Sequence, residues 1–364
     1  MGSIPSSLGN CSLLKALDLR QNNLSGSLPW SVGQLKQLQT PHLSNNRLLG
    51  VLPLSLQNCI NLETLDLGNN RFSGDIPPWI GGSLTVLRIL RLRSNTFSGR
   101  IPSQIFNLSS LQVLDLAQNN LIGRIPANLG VLKAMARPQY VNRYLFYGKY
   151  RRLYYEENLV MSIKGQLRTY TKTLSLVTCI DLSQNSLHGD FPEAIINLSG
   201  LIVLNLSTNY ISGVLPEGIM NLHELSSLDV SNNQLSGVIP SSMPSMASLS
   251  YLNLSNNNFS GLIPFSGQLQ TFDESSYYGN PGLCGPPNRK VTVKDEIGNG
   301  IKDKWFYLST GLGFSAGLLV PFFVLAVRRP WSDAYFSIVD KIVDRILEVG
   351  SGKAMSHKKR RHHQ

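Results

Sequence analysis

The sequence predicts an α/β solenoid, right-handed, with one parallel strand per coil lining a concave face, interrupted by an island insert and followed by one transmembrane helix. Three observations predict it. Nine in-phase segments begin at Leu17, Pro41, Leu65, Leu90, Leu114, Ile180, Leu204, Leu228 and Leu252, at spacings of 24, 24, 25, 24, 66, 24, 24 and 24 residues. Within each copy apolar residues alternate, as a strand buried on one side requires. Near the end lies an uncharged run of 22 residues, Phe306 to Val327. No single unit of this length buries its apolar side alone, so neighbours must stack.

Residues 1–136 form the first repeat block, its opening copy partial. With LDLRQNNLSGSLP (Leu17 to Pro29) as template, an Asn falls at one place in all nine copies: Asn22, Asn46, Asn70, Asn95, Asn119, Asn185, Asn209, Asn233 and Asn257. It sits where the chain leaves the strand, within reach of backbone groups of the adjacent coil. Such groups cost about 1–3 kcal/mol each if unsatisfied, so the Asn residues read as structural. Cys11 and Cys59, each six residues before the strand Leu, read as small buried apolar residues. The four cysteines contain no CxxC pair and no metal-ligand spacing, which excludes a disulfide-dense or zinc-built fold.

The 66-residue spacing marks an insert at 137–178. It holds seven of the thirteen tyrosines (Tyr140, Tyr144, Tyr147, Tyr150, Tyr154, Tyr155 and Tyr170) interleaved with eight Lys or Arg. A loop this long is usually functional or disordered. Tyr with Arg is the composition of binding hot spots and also of single-stranded nucleic-acid platforms. Four closing repeats follow over 179–265, and from Cys179 to Asn288 there is no Lys or Arg. The net charge of +11 is therefore segmental, not the uniform basic footprint of a nucleic-acid binder.

At 266–305 the period breaks at NPGLCGPP (Asn280 to Pro287) and the chain turns polar. Residues 306–327 would span about 33 Å as a helix, against a hydrocarbon core of roughly 30 Å. Trp305, Tyr307 and Trp331 mark its interfaces, and Gly313 and Gly317 form a GxxxG face for close helix contact. The segment after the span, 328–364, is more basic than the one before, which places the tail in the cytoplasm and the repeats outside. The tail has neither a Gly-rich phosphate loop nor HRD or DFG. No carboxylate pair, triad or metal cluster stands out of the repeats, so no enzyme activity and no cofactor are expected.

The pattern LxxLxLxxNxLxGxIP, with its glycines at Gly26, Gly50, Gly74, Gly99, Gly123, Gly213, Gly237 and Gly261, resembles the plant extracellular form of the leucine-rich repeat. With the insert ending MSIKGQLRTY (Met161 to Tyr170), four closing repeats, the GNPGLCGPP cap, the span and a short tail, the whole chain resembles the plant receptor-like proteins, kinase-less receptors of immunity and development. The resemblance implies a single-pass plasma-membrane protein that binds an extracellular peptide, protein or glycan and signals through co-receptor and adaptor leucine-rich-repeat receptor kinases.

It also implies site residues. Ligand binding falls to the insert and the outward strand residues before it: Arg88, Arg91, Arg93, Tyr144, Tyr147, Tyr150, Arg151 and Arg152. Co-receptor contact falls to Asp181, Ser183, Asn205, Ser207, Asp229, Ser231, Asn253 and Ser255, and adaptor packing to Gly313 and Gly317. Seven sequons, at Asn10, Asn23, Asn107, Asn197, Asn205, Asn253 and Asn258, precede the span and predict glycosylation. In three respects the chain departs from the family. It opens without a charged-then-apolar leader or a cysteine-bearing cap, Cys284 lacks the usual downstream partner, and the outer juxtamembrane stretch is less acidic than usual. Gly2 to Pro5 lies in phase with Gly26 to Pro29, the reading expected of an N-terminally shortened receptor. The alternatives are a non-catalytic repeat protein that inhibits a secreted pathogen enzyme, and a non-functional receptor fragment.

Overall fold

Nine three-residue strands, one from each repeat, form a single parallel sheet: Ala16–Asp18, Thr40–His42, Thr64–Asp66, Ile89–Arg91, Val113–Asp115, Cys179–Asp181, Val203–Asn205, Ser227–Asp229 and Tyr251–Asn253. This is a computed structural model, and it describes residues 2–142, 145–150, 153–163 and 166–286. The sheet crosses the insert without a gap, because Val113–Asp115 pairs directly with Cys179–Asp181 in full register. Pro41 takes an inward position in its strand. Having no N–H to give the ladder, it leaves that strand paired to the next one only at His42 and Asp66.

Inward residues of every coil stack into one continuous core, including Leu65, Leu90, Leu114, Ile180, Leu204 and Leu228, each almost fully buried. Phe72 and Phe97 stack in the coil beside it, ring centroids 6.3 Å apart. Cys59 is buried as expected, its thiol directed at the Val32 carbonyl oxygen 3.3 Å away. Cys11 departs from expectation and is exposed. Among the described residues no coil stacks beyond its own, so Leu13 is also exposed and Leu17 and Leu19 are only partly buried.

The return limbs are short. Most are five-residue 3-10 turns such as Trp30–Gln34, Leu54–Asn58 and Ser103–Asn107, each entered through a Pro. A 3-10 turn rises further per residue than an α-helix and so covers the same arc with fewer residues. The one α-turn among the described residues, Trp79–Ser83, belongs to the 25-residue repeat, whose extra residue lets it form.

The Asn ladder closes the coils as read. Asn46 donates from Nδ2 to Leu19 O (2.9 Å) and Leu43 O (3.0 Å), while its Oδ1 accepts the Leu24 N–H at 3.0 Å. The pattern recurs at Asn185 across the insert. It also extends one coil further than the repeat consensus, to Asn280 of the cap, whose Oδ1 accepts the Phe259 N–H at 3.0 Å. The residue before each ladder Asn is left-handed: Gln21, Asn45, Asn69, Ser94, Gln118, Gln184, Thr208, Asn232 and Asn256 all have φ between 52° and 59°.

Past the ladder the chain forms short lateral sheets, one of which pairs Gly2–Ser3 with Leu24–Gly26, in keeping with the phase of Gly2 to Pro5. Gly99 turns there at φ 71°, and a Cβ on it would lie 2.4 Å from Asp75 Oδ1. Gly189 adopts the same conformation at φ 92°, although its GDFP sequence departs from the consensus.

The insert folds as two antiparallel hairpins, Phe146–Tyr150 with Leu153–Glu156 and Leu159–Ile163 with Gln166–Tyr170, then a 3-10 turn, Leu174–Leu176. Leu159, Met161 and Ile163 pack with Ile89, Val113, Cys179 and Val203 in a second apolar cluster on the concave side. No helix of the described residues is long and apolar enough to cross a membrane. The span Phe306 to Val327 expected from the sequence, with Gly313 and Gly317, lies outside the described residues, as does the tail.

Candidate functional site

Alternation along each strand sends one residue set inward and the other to the concave face. In the middle coils the outward set includes Ile89, Val113, Cys179 and Val203, apolar residues that would stand in water without the hairpin over them. In the earlier coils the same column is Thr40 and Thr64, and it receives Glu157 of the insert.

Glu157 is 1% exposed. Its Oε2 accepts the Thr40 hydroxyl at 2.6 Å and the Thr64 hydroxyl at 2.9 Å, and its Oε1 lies 2.6 Å from His42 Nε2. The other His42 nitrogen faces Asp66 Oδ2 at 3.3 Å. Burial alone would lower the His42 pKa, but hydrogen bonds and charge from Asp66 and Glu157 outweigh it and raise the pKa to about 9. Burial works upward on Asp66, yet His42, Arg91 and Ser44 bring it down to about 2.

The network continues along the sheet. Arg91 reaches Asp66 (3.1 Å) and Asp115 (3.4 Å), and Arg93 reaches Asp115 (3.1 Å) and, across the insert junction, Asp181 (3.6 Å). Burial and the Asp115 charge lift Asp181 to about 6, against the opposing pull of Ser183 and Arg93. At the far end Arg20 joins Asp18 to Asn158 Oδ1 (2.8 Å) and the Tyr155 hydroxyl (3.1 Å).

The pKa shifts set a pH profile. His42 is raised from 6.5, so its contribution is complete below that value and is lost as pH rises through about 9. Asp66 is lowered from 3.8, so its contribution is present above that value and fades as pH falls toward about 2. Asp181 is raised from 3.8, so stability increases as pH falls through about 6. Stability is expected to peak at mildly acid pH, between the Asp66 and His42 limbs. Urea midpoints across the pH range check this, and His42→Gln should flatten the alkaline limb. An unchanged limb would remove His42 from the account.

Between sheet and insert a groove of about 980 Å³ remains open. Its floor includes Arg91, Arg93, Asp181, Ser183, Asn205, Ser207 and Asp229, and its wall is Asn158, Val160 and Thr169 of the insert. Gln21, Asn45, Asn69, Ser94, Gln118 and Gln184 of the left-handed column also line it. Every residue of that column bears an amide or a hydroxyl. A row of donors and acceptors at the spacing of parallel strands suits an extended polar ligand.

The groove thus brings together Arg91 and Arg93 with five of the residues expected to meet a co-receptor. In the closing repeats Ser183, Ser207, Ser231 and Ser255 each donate a hydroxyl to Oδ1 of the Asp or Asn two residues earlier, at 2.6 to 2.8 Å. That contact fixes the rotamers of Asp181, Asn205, Asp229 and Asn253. Arg88 lies apart from the groove, bonded to Gln112 Oε1. Tyr147 is buried and donates its hydroxyl to Glu63 at 3.2 Å. Tyr150 lies in a hairpin strand, whereas Tyr144, Arg151 and Arg152 lie outside the described residues. Sequence reasoning missed Glu157, His42, Asp66 and Asp115. The one available signal was the run of apolar residues in outward strand positions, which announces a cover.

Leucine rich repeat family models match residues 175–235 and, as separate repeats, 13–35, 61–83, 86–108, 110–132 and 248–268. Receptor-like protein 1 of Arabidopsis thaliana is 34% identical over 102 residues, covering 23% of this chain and 10% of that protein. Receptor like protein 21 of the same plant is 34% identical over 89 residues, covering 21% and 9%. These matches therefore span about a tenth of the curated relatives' length. Among solved structures, the Arabidopsis receptor kinase HAESA in complex with the peptide hormone IDA and the co-receptor SERK1 superposes with a TM-score of 0.62 at 31% identity, covering 80% of this chain and 42% of that one. A plant ice-binding protein superposes with a TM-score of 0.61 at 28% identity, covering 80% of each chain.

Proposed function

Since the chain is a leucine-rich-repeat protein similar to plant receptor-like proteins, we propose that it is a ligand-reading ectodomain at the plant cell surface that signals through partner receptor kinases. The observation that carries this reading is the groove between the concave sheet and the insert. An extracellular ligand, preferentially a peptide, lies along the amide and hydroxyl column against Thr169 and Asn158. The closing repeats beside it, from Asp181 to Ser255, meet a co-receptor kinase, and the sequence segment Phe306 to Val327 anchors the chain through Gly313 and Gly317 against an adaptor kinase. The repeats face outside, and the protein serves defence or development.

The test is affinity purification of the full chain from plant membranes. Receptor kinases are expected to co-purify, and Ser207→Lys with Ser231→Lys should remove the co-receptor, whereas Glu274→Lys in the cap should not. Absence of any kinase, or an identical set with the double variant, would overturn the reading.

Glycosidase treatment of the same material tests the outside-facing orientation. Asn10, Asn107, Asn197 and Asn258 are exposed and Asn23 half-buried, whereas Asn205 and Asn253 are bonded to Ser207 and Ser255 on the concave face. Glycan is expected at the exposed sites and not at Asn205 or Asn253, read as mobility steps lost one at a time in Asn→Gln variants. No mobility change on glycosidase treatment would contradict the orientation.

A further inference from the structure

A second pocket, of about 460 Å³, opens at the root of the insert, where the chain leaves the last coil before it. It shares no lining residue with the concave groove. We infer that this pocket is a binding site for an acidic sugar chain, with Arg88 and Lys133 taking the carboxylate and Tyr140 the face of the ring.

The cations carry the first part of the argument. Arg88 donates from Nη2 and Nε to Gln112 Oε1, at 2.8 and 3.2 Å. Gln112 is held in turn by the Ser175 carbonyl oxygen, which accepts from its Nε2 at 2.9 Å. The guanidinium is therefore positioned before any ligand arrives. No carboxylate among the described residues lies within ion-pair distance of Arg88 or Lys133. Glu63, one strand back, is engaged by the Tyr147 hydroxyl. Near this end of the concave face Arg20, Arg91 and Arg93 each meet an Asp, whereas Arg88 meets the neutral amide of Gln112. A guanidinium fixed in place without a counter-charge favours a bidentate oxyanion.

The rest of the lining selects what carries that anion. Ser109, Ser110 and Gln139 offer hydroxyl and amide groups for neutral hydroxyls. Tyr140, 82% exposed, and Val141, 68% exposed, line the pocket together with the two cations, and the Tyr140 ring supplies an accessible aromatic face. A tyrosine with one apolar face and one polar end suits a partner that is itself half apolar and half polar. A sugar ring with a carboxylate fits all three features. A hydrophobic peptide side chain would need a closed apolar depth, and the lining here is mostly polar and includes two cations.

The test is calorimetric titration of the purified full chain in detergent with tri-galacturonic acid, its methyl ester of the same length, and hexaglutamate. The acid trimer is expected to bind. The ester should bind at least about tenfold more weakly, the size of effect that follows from losing hydrogen bonds to charged groups. Arg88→Gln with Lys133→Gln should weaken the acid trimer to a similar degree at an unchanged thermal midpoint. Should that pair fail to fold, Tyr140→Ala, on an exposed side chain, is expected to weaken binding several-fold and carries the test alone. Equal affinity for acid and ester, or undiminished binding by every folded variant, overturns the proposal, as does absence of binding at millimolar trimer. Hexaglutamate binding as tightly as the trimer overturns the sugar in favour of an acidic peptide. A ligand of the concave groove would be unaffected by these variants, so the two sites stand or fall separately.

Discussion

Glu157→Ala is expected to lower stability by about 3–5 kcal/mol, the range for removing one partner of a buried ion pair. The change leaves His42 with Asp66 at 3.3 Å as its remaining carboxylate and the Thr40 hydroxyl at 3.0 Å, and strips Thr40 and Thr64 of their shared carboxylate acceptor. Its consequence is local as well as global. Glu157 ties the insert to the early coils, so hydrogen exchange over residues 145–163 should accelerate more than exchange in the Ser227–Asp229 strand. Glu157→Gln keeps acceptor capacity for the two threonines and should cost less. Wild-type protection of the hairpins in Glu157→Ala would show that the apolar contacts of Leu159, Met161 and Ile163 hold the insert without the ion pair.

Asn185→Asp is nearly isosteric, yet it should cost about 3 kcal/mol or more, because several buried bonds change together. The wild-type Nδ2 donates to Leu116 O and Leu182 O, both at 3.1 Å, and an ionised Asp would turn a lone pair toward those carbonyls. Only the acceptor role toward the Leu121 N–H at 3.0 Å would survive. Because Asn185 joins the coils on either side of the insert, the loss should appear as two separated unfolding steps in a denaturant titration. A single transition at the wild-type midpoint would mean that the sheet pairing alone couples the two blocks.

The periodic part of the molecule was legible because its contacts recur at fixed spacing. The 24-residue period places the nine strands, the ladder Asn and the Pro-entered returns, and the one 25-residue spacing falls on the α-turn Trp79–Ser83. Whether a return would be an α-helix or a 3-10 turn was not legible, because that depends on the arc each return must cover and not on the period. The position of the insert was not legible, since nothing periodic links Glu157 to Thr40, 117 residues away. Tyr147 is among the residues expected to bind ligand, and Tyr155 shares the Tyr-rich composition of the insert; the structure engages their hydroxyls with Glu63 and Asp18, contacts that composition does not reveal. The clue lay in the host strands, where Ile89, Val113, Cys179 and Val203 occupy outward positions that a solvent-facing sheet would fill with polar residues.

The direct pairing of Val113–Asp115 with Cys179–Asp181 has a consequence for how such a chain can diversify. The two ends of the insert leave and rejoin coils that would be neighbours without it, so the insert is a detour outside the line of stacked contacts. Stretching a connection from 24 to 66 residues costs only about 0.9 kcal/mol of closure entropy. Selection can therefore lengthen, shorten or replace the hairpins as a cassette while the register of the solenoid stays put. The limit on that freedom lies in the host, because any new cassette must again cover Ile89, Val113, Cys179 and Val203 and supply an anion to His42.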